Sequence, residues 1–168
     1  MITLMAGLPG TGKSTLARVL AESTAGHVLS KDEIRAALFA PNDIEYSTAQ
    51  DDFCMEVMFP AARFLLEKNP QRRVFLDGRT FSRRYQIDRV LQFADERAQS
   101  WRILECVCSE ESAKRRLEID ASHPARNRNF DLYLEVKAHF EAIAYKKTLI
   151  DTDQTLEECI RQALAVLA

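Results

Sequence analysis

Residues 6–15 read AGLPGTGKST, and within them Gly7, Gly12, Lys13 and Ser14 fit the pattern G-x-x-x-x-G-K-[ST]. In such a loop the backbone amides cradle nucleotide phosphates, the lysine reaches the terminal ones and the hydroxyl holds Mg²⁺. A glycine-rich turn alone would prove little, so its surroundings decide. The apolar stretch MITLMAG precedes it as a strand and STLARVLAE follows as a helix, so the helix N-terminus adds its dipole to the amide cradle. The expected nucleotide-binding set is Gly7, Pro9, Gly10, Thr11, Gly12, Lys13, Ser14 and Thr15, with Lys13 on the β and γ phosphates and Ser14 on the metal.

Working outward, strand-length apolar runs recur at 2–8, 27–30, 73–77, 101–108 and 147–151. Helical patterns separate them. Leu16, Val19 and Leu20 share one face, as do Ile87, Val90, Leu91 and Ala94 in a helix over about 84–98. A helix over about 47–68 carries Cys54, Val57, Met58, Ala61, Ala62 and Leu65, with Pro60 expected to bend it. The last helix carries Leu156, Cys159, Ile160, Ala163, Leu164 and Leu167. Strands alternating with helices imply a three-layer α/β fold, a five-stranded parallel sheet joined by right-handed crossovers.

At 168 residues the chain suits one domain, 1–168, with no repeat or linker. Its 23 basic and 25 acidic residues leave a net charge of −2, which gives no general field for nucleic acid or anionic lipid. No apolar run reaches the ~20 residues of a membrane helix, and no signal peptide is read at the start, so the expectation is a cytoplasmic protein without membrane association. Cys54, Cys106, Cys108 and Cys159 lack paired spacing and are expected to be free thiols.

Two aspartates close strand runs, Asp32 after HVLS and Asp77 at the end of RVFLD. Ligands sit at the carboxyl ends of parallel strands, so both are candidate Mg²⁺ anchors beside Ser14. Each has a structural alternative: Ser30-x-x-Glu33 can cap a helix, and Asp77-Gly78 can turn the chain. The polar stretch 119–130, IDASHPARNRNF, broken by Pro124, reads as a lid between two helices, within a lid segment spanning about 114–130. It brings Arg126 and Arg128, near Lys114, Arg115 and Arg116, within range of a phosphate site. Arg83, Arg84 and Arg89 are read as exposed salt-bridging residues.

GLPGTGKST, LSKDEIRAALF, STAQDDFCMEVMFPAARFLLEK, RVFLDGRTFSRRYQIDRVLQF and a basic lid ahead of IDTD together resemble the AAA_33 group of small P-loop kinases, over nearly the whole chain. That group is similar to polynucleotide 5′-kinase, adenylylsulfate kinase, chloramphenicol phosphotransferase and zeta-type toxin domains. The resemblance implies a P-loop NTPase fold, adenylate-kinase-like with a short lid, that uses ATP and Mg²⁺ to phosphorylate a hydroxyl group. It further implies that Asp32 orients and deprotonates the acceptor, that Arg35 grips it, and that lid arginines, among them Arg116, Arg126 and Arg128, serve the nucleotide and the reaction. Asp77 matches the family's strand-3 aspartate, whereas Arg79 stands where a small or polar residue is more common. A small-molecule acceptor and a monomer are expected. A polynucleotide or tRNA-linked 5′-hydroxyl, less favoured by the net charge, and a nucleotide-binding switch without acceptor remain as alternatives. The acceptor is expected along about 35–60, with Asn42, Tyr46 and Asp51, a stretch without a decodable motif.

Overall fold

The computed structural model describes residues 1–119 and 129–167. The order is β1 (Ile2–Ala6), α1 (Lys13–Ser23), β2 (His27–Ser30), α2 (Lys31–Leu38), a 3-10 turn (Pro41–Asp43), α3 (Thr48–Lys68), β3 (Val74–Asp77), α4 (Arg84–Asp95), β4 (Trp101–Val107), α5 (Glu110–Ile119), α6 (Phe130–Ala138), β5 (Thr148–Asp151) and α7 (Leu156–Leu167). The five strands pair in parallel in the order β2-β3-β1-β4-β5. The chain therefore builds one half of the sheet beside β1 through β2 and β3 and the other through β4 and β5. A crevice opens at the carboxyl end of β1, the switch point where such sheets bind ligands.

Residues of β1 point alternately to the two faces, as strand geometry requires. Ile2, Leu4 and Ala6 enter one core with Met58, Leu76, Ile87 and Val90, while Met5 enters the other with Leu16, Leu20, Leu104, Ile150 and Ala163. Both faces are covered, α3 and α4 on the first and α1 and α7 on the second, which is why the strands read as continuous apolar runs rather than alternating ones. A smaller cluster, Ala113, Leu117 and Tyr133, joins α5 to α6.

Helix α3 continues through Pro60 to Lys68, and α4 ends at Asp95, three residues before the expected limit. There Ala98, at φ 50°, turns the chain toward β4. Cys54, Cys106 and Cys159 are buried and Cys108 half-buried, all as free thiols; burial pushes the Cys106 thiol up to about 12. Among the described residues no helix is long and apolar enough to cross a membrane.

Gly7 carries φ 130°, and a Cβ built there would lie 2.2 Å from the Cys106 carbonyl oxygen on β4. Gly7→Ala therefore has to strain its own backbone and push β4 aside. We expect a loss of at least about 2 kcal/mol of stability, read as a lower denaturant midpoint; an unchanged midpoint would show that the loop can relax away from β4.

Candidate active site

The loop after β1 is held on three sides. The Gly7 amide donates to the Thr80 carbonyl at 3.1 Å, which ties it to the turn after β3. Gly10 is in contact with α5, where an added Cβ would lie 2.8 Å from the Ala113 carbonyl oxygen and 3.0 Å from Leu117 Cγ. Thr152, just after β5, donates from Oγ1 to the Thr11 carbonyl at 3.1 Å, and its side chain lies 3.7 Å from the position of a Cβ on Gly12. Gly12, in the left-handed conformation at φ 79°, then opens α1 with no side-chain cap, leaving the first-turn amides available to an anion. Within this cradle Lys13 Nζ donates to the Leu8 carbonyl at 2.6 Å, and Thr11 Oγ1 donates to the same oxygen at 2.8 Å.

Lys13 and Ser14 line a cleft of about 160 Å³ whose other walls are Pro9, Lys31, Asp32, Arg35, Tyr46, Asp51, Gly78, Arg79, Thr80, Leu132 and Val136. Strand register brings the two sides together, because Ser30 pairs with Asp77 and the chain leaves β2 and β3 at the same level. Gly78, at φ 89°, is packed so closely that a Cβ would lie 3.0 Å from the Lys31 amide nitrogen and 3.1 Å from that of Asp32.

Asp32 is not a mere helix-start charge. It is buried, and its Oδ1 lies 2.8 Å from Arg35 Nη1 and 3.5 Å from Lys31 Nζ. Arg35, 2% exposed, also pairs with Asp51 on α3, and Lys31 Nζ lies 2.8 Å from the same carboxylate. Burial pulls the Lys31 ammonium down to about 8, opposed mainly by Asp32. The capping box forms only in half: the Glu33 amide donates to Ser30 Oγ at 3.3 Å, while the Glu33 carboxylate faces Arg18. Tyr46, at φ 52°, stands beneath the Arg35 guanidinium, 5.0 Å from its ring centroid. Asn42, by contrast, lies exposed in the 3-10 turn and does not line the cleft.

Asp77 is 3% exposed and its Oδ1 has no hydrogen-bond partner among the described residues. An orphaned carboxylate oxygen at a strand end beside the phosphate loop fits a metal anchored by water or directly. The donors present, the Ser14 hydroxyl and the Asp77 carboxylate, are hard oxygens of the kind Mg²⁺ takes together with phosphates and waters.

On the opposite flank Arg116 of α5 donates from Nη1 to Thr152 Oγ1 at 2.9 Å and from Nη2 to the Thr152 carbonyl at 2.7 Å; Nη1 also reaches Gly10 O at 3.5 Å. With Gly12, Thr15, Leu16, Gln154, Leu156 and Cys159 it lines a second recess of about 390 Å³. Arg83 pairs with Glu141, Arg84 with Asp88 and Arg89 with Glu56, all at the surface. Lys114 lies over the Phe130 ring and Arg115 is exposed. Arg126 and Arg128 lie outside the described residues. The sequence did not single out the cleft residues Lys31, Thr80, Leu132 and Val136, nor Asp52 beside them. Lys31 stood beside Asp32 without a motif, and Asp52 reaches the site only by pairing with Arg79.

A parallel sheet with this loop at its switch point defines a nucleotide-binding protein of the P-loop class. The AAA_33 family model, described as an AAA domain, matches residues 2–143, and the chain belongs to that family. No curated protein matches the sequence. Among solved structures it is similar to the Mycobacterium tuberculosis APS kinase CysC in complex with AMPPNP and APS (TM-score 0.74, 14% identity, 99% of this chain and 96% of that one). It is also similar to a gluconokinase from Sinorhizobium meliloti 1021 (TM-score 0.67, 18% identity, 99% and 90%). A third similar structure is Chaetomium thermophilum Kti12 in complex with ADP-AlF3 (TM-score 0.67, 13% identity, 100% of both chains).

Removing Arg35 would leave Asp32 buried with only the more distant Lys31. Arg35→Met should cost about 3 kcal/mol, seen in chemical denaturation. A variant as stable as the parent would mean that this ion-pair cluster is held together at a cost to the fold.

Proposed function

We propose that the chain is an ATP- and Mg²⁺-dependent kinase that transfers the γ-phosphoryl group to a hydroxyl of a small-molecule acceptor. The observation that carries this reading is one cleft holding Lys13 and Ser14 on one wall and the Asp32–Arg35 pair on the other. A pure nucleotide switch has no use for a buried carboxylate that lines the same cleft as the phosphate loop. Two of the similar structures are an APS kinase and a gluconokinase, which supports the same class. The net charge of −2 weighs against a nucleic-acid strand as acceptor.

In this reading the residues from Gly7 to Thr15 bind the phosphates through their amides, and Lys13 neutralises the β and γ oxygens. Ser14, with Asp77 or Asp32 as its acidic partner, would hold Mg²⁺, and the ion would offset negative charge on the nucleotide phosphates. Asp32 accepts the acceptor's hydroxyl proton as that oxygen bonds to the γ-phosphorus and the bond to the β-phosphate oxygen breaks, releasing ADP. Asp32 is fixed in place by the Arg35 and Lys31 cations beside it. This suits a loose transition state, in which alignment of the hydroxyl matters more than its early deprotonation. Arg35 holds Asp32 and meets the acceptor, Arg116 flanks the nucleotide, and Arg126 and Arg128 are assigned to the transferring phosphoryl group by resemblance alone.

The test is ADP release with Mg-ATP across a panel of hydroxyl compounds. Lys13→Ala should lower acceptor-dependent turnover by about two orders of magnitude or more. Asp32→Asn should suppress transfer while ATP affinity stays within a few-fold. Acceptor-stimulated release that survives Asp32→Asn would remove that carboxylate from the chemistry, and ATP binding without any stimulating acceptor would favour a switch. Separately, Arg116→Ala should weaken ADP binding about tenfold, the scale of a charge-assisted hydrogen bond, in a calorimetric titration; equal affinities would confine Arg116 to tying α5 to Thr152.

A further inference from the structure

Lys31, Arg35 and Arg79 are 6%, 2% and 5% exposed, yet all three line the cleft. They come from two separate segments, α2 and the turn after β3. Their partners on the facing helix sit differently: Asp51 and Asp52, adjacent on the first turns of α3, have side chains 24% and 44% exposed. The cations are thus fixed inside and the carboxylates stand at the rim, in reach of water. With Lys13, four cationic side chains line the cleft against two carboxylates, Asp32 and Asp51.

Arg35 and Arg79 each have an Nε without a partner among the described residues, but Arg35 pairs with two carboxylates and Arg79 with one. Arg79 Nη1 lies 2.6 Å from Asp52 Oδ1 and its Nη2 donates to Tyr85 Oη at 3.2 Å. The Tyr85 ring lies alongside, 5.9 Å from the guanidinium. Phe81, wholly buried at φ 54°, anchors the turn two residues on, so Arg79 is presented by a fixed piece of backbone. The side chain also lines the neighbouring cavity of about 430 Å³ with Asp52, Met55, Phe59, Tyr85 and Arg89, and so forms part of the boundary of both spaces. A buried guanidinium whose donors are met only in part by a rim carboxylate is poised to exchange that partner for an incoming anion. Its planar fork fits a carboxylate or a phosphate ester, which offer paired oxygens, better than a single neutral hydroxyl.

We infer that the acceptor is a small hydroxylated molecule bearing an anionic group, carboxylate or phosphate ester, and that Arg79 is the residue that selects for it. This rests on the kinase reading for the hydroxyl, but the anion site stands on Arg79, Arg35 and Lys31 themselves. Asp52 holds the guanidinium in the empty site and yields it to the ligand.

The experiment uses the full chain with its nucleotide site filled by Mg-AMPPNP, so that added anions cannot be captured by the phosphate loop. Binding is measured by calorimetry for gluconate, glycerate, glycerol 3-phosphate and glucose 6-phosphate beside uncharged glucose and glycerol, and ADP release is measured for the same compounds with Mg-ATP. At least one anionic compound should bind at least tenfold more tightly than its uncharged counterpart; whether a hydroxy acid or a phosphate ester leads tells the two sources apart. Arg79→Met should weaken that binding tenfold or more with AMPPNP affinity unchanged, Arg79→Lys should restore part of it, and Asp52→Asn should tighten it several-fold by freeing the guanidinium. That last gain separates ligand selection from a structural role, since loss of an ion pair from a purely structural arginine would not improve binding. Equal binding of charged and uncharged compounds, no binding by any anion, or an Arg79→Met effect on AMPPNP alone would overturn the inference. Arg79-dependent anion binding without phosphoryl transfer would uphold it and sink the kinase reading; transfer to an uncharged hydroxyl, unaffected by Arg79→Met, would do the reverse.

Discussion

The carbonyl of Cys106 occupies the space beside residue 7 that any side chain would need. This contact sets the height at which the phosphate loop leaves β1 between β3 and β4, and the other constraints follow from it. With Gly7 seated, its amide reaches Thr80, the loop turns back over α5 at Gly10, and Gly12 delivers the chain into α1. Backbone groups rather than side chains do most of this positioning. Such an arrangement is stiff because each partner belongs to a buried strand or to a helix packed on one.

The two ends of the cleft differ in how they are built. On the nucleotide flank the contacts are neutral or singly charged hydrogen bonds between segments distant in the chain, with Thr152 and Arg116 fastening the turn after β5 to the loop. On the other flank the walls are held by charge: Lys31, Asp32, Arg35 and Asp51 form one connected set of ion pairs between α2 and α3, and Arg79 with Asp52 a separate pair between the turn after β3 and α3. Burial makes each pair sensitive to the loss of a member, because the remaining charge has little water to turn to. The set of four is therefore coupled as a unit, and changes at one of its residues are expected to be felt at the others.

Much of the frame was legible in the sequence. β1 through β5 appear as short apolar runs because both sheet faces are covered, and the phosphate loop is marked by glycines that close approach or positive φ demands. Helix ends were less visible. α4 stops at Asp95 because Ala98 takes a left-handed conformation that nothing in its residue type announces. The cleft was half legible: Asp32 and Asp77 could be found by counting from strand ends, but Lys31, Asp51, Asp52 and Arg79 meet only through tertiary packing. Nothing in the order of residues 31, 51, 52 and 79 predicts that α3 crosses α2 and the turn after β3 at that point. Arg79 stood out in the sequence as a departure from the family pattern, yet its partners could be named only from the fold.

β2 is four residues long and lies at the margin of the sheet, paired on one side only. Everything that forms the proposed acceptor wall from α2 hangs on that strand. A peripheral strand has few neighbours to disturb, so the mostly exposed stretch between α2 and α3, residues 39–47, can change in length while the central three strands keep the phosphate loop in register. That freedom stops at the ion-paired charges on either side of it: Lys31, Asp32 and Arg35 before the stretch and Asp51 after it have to stay matched.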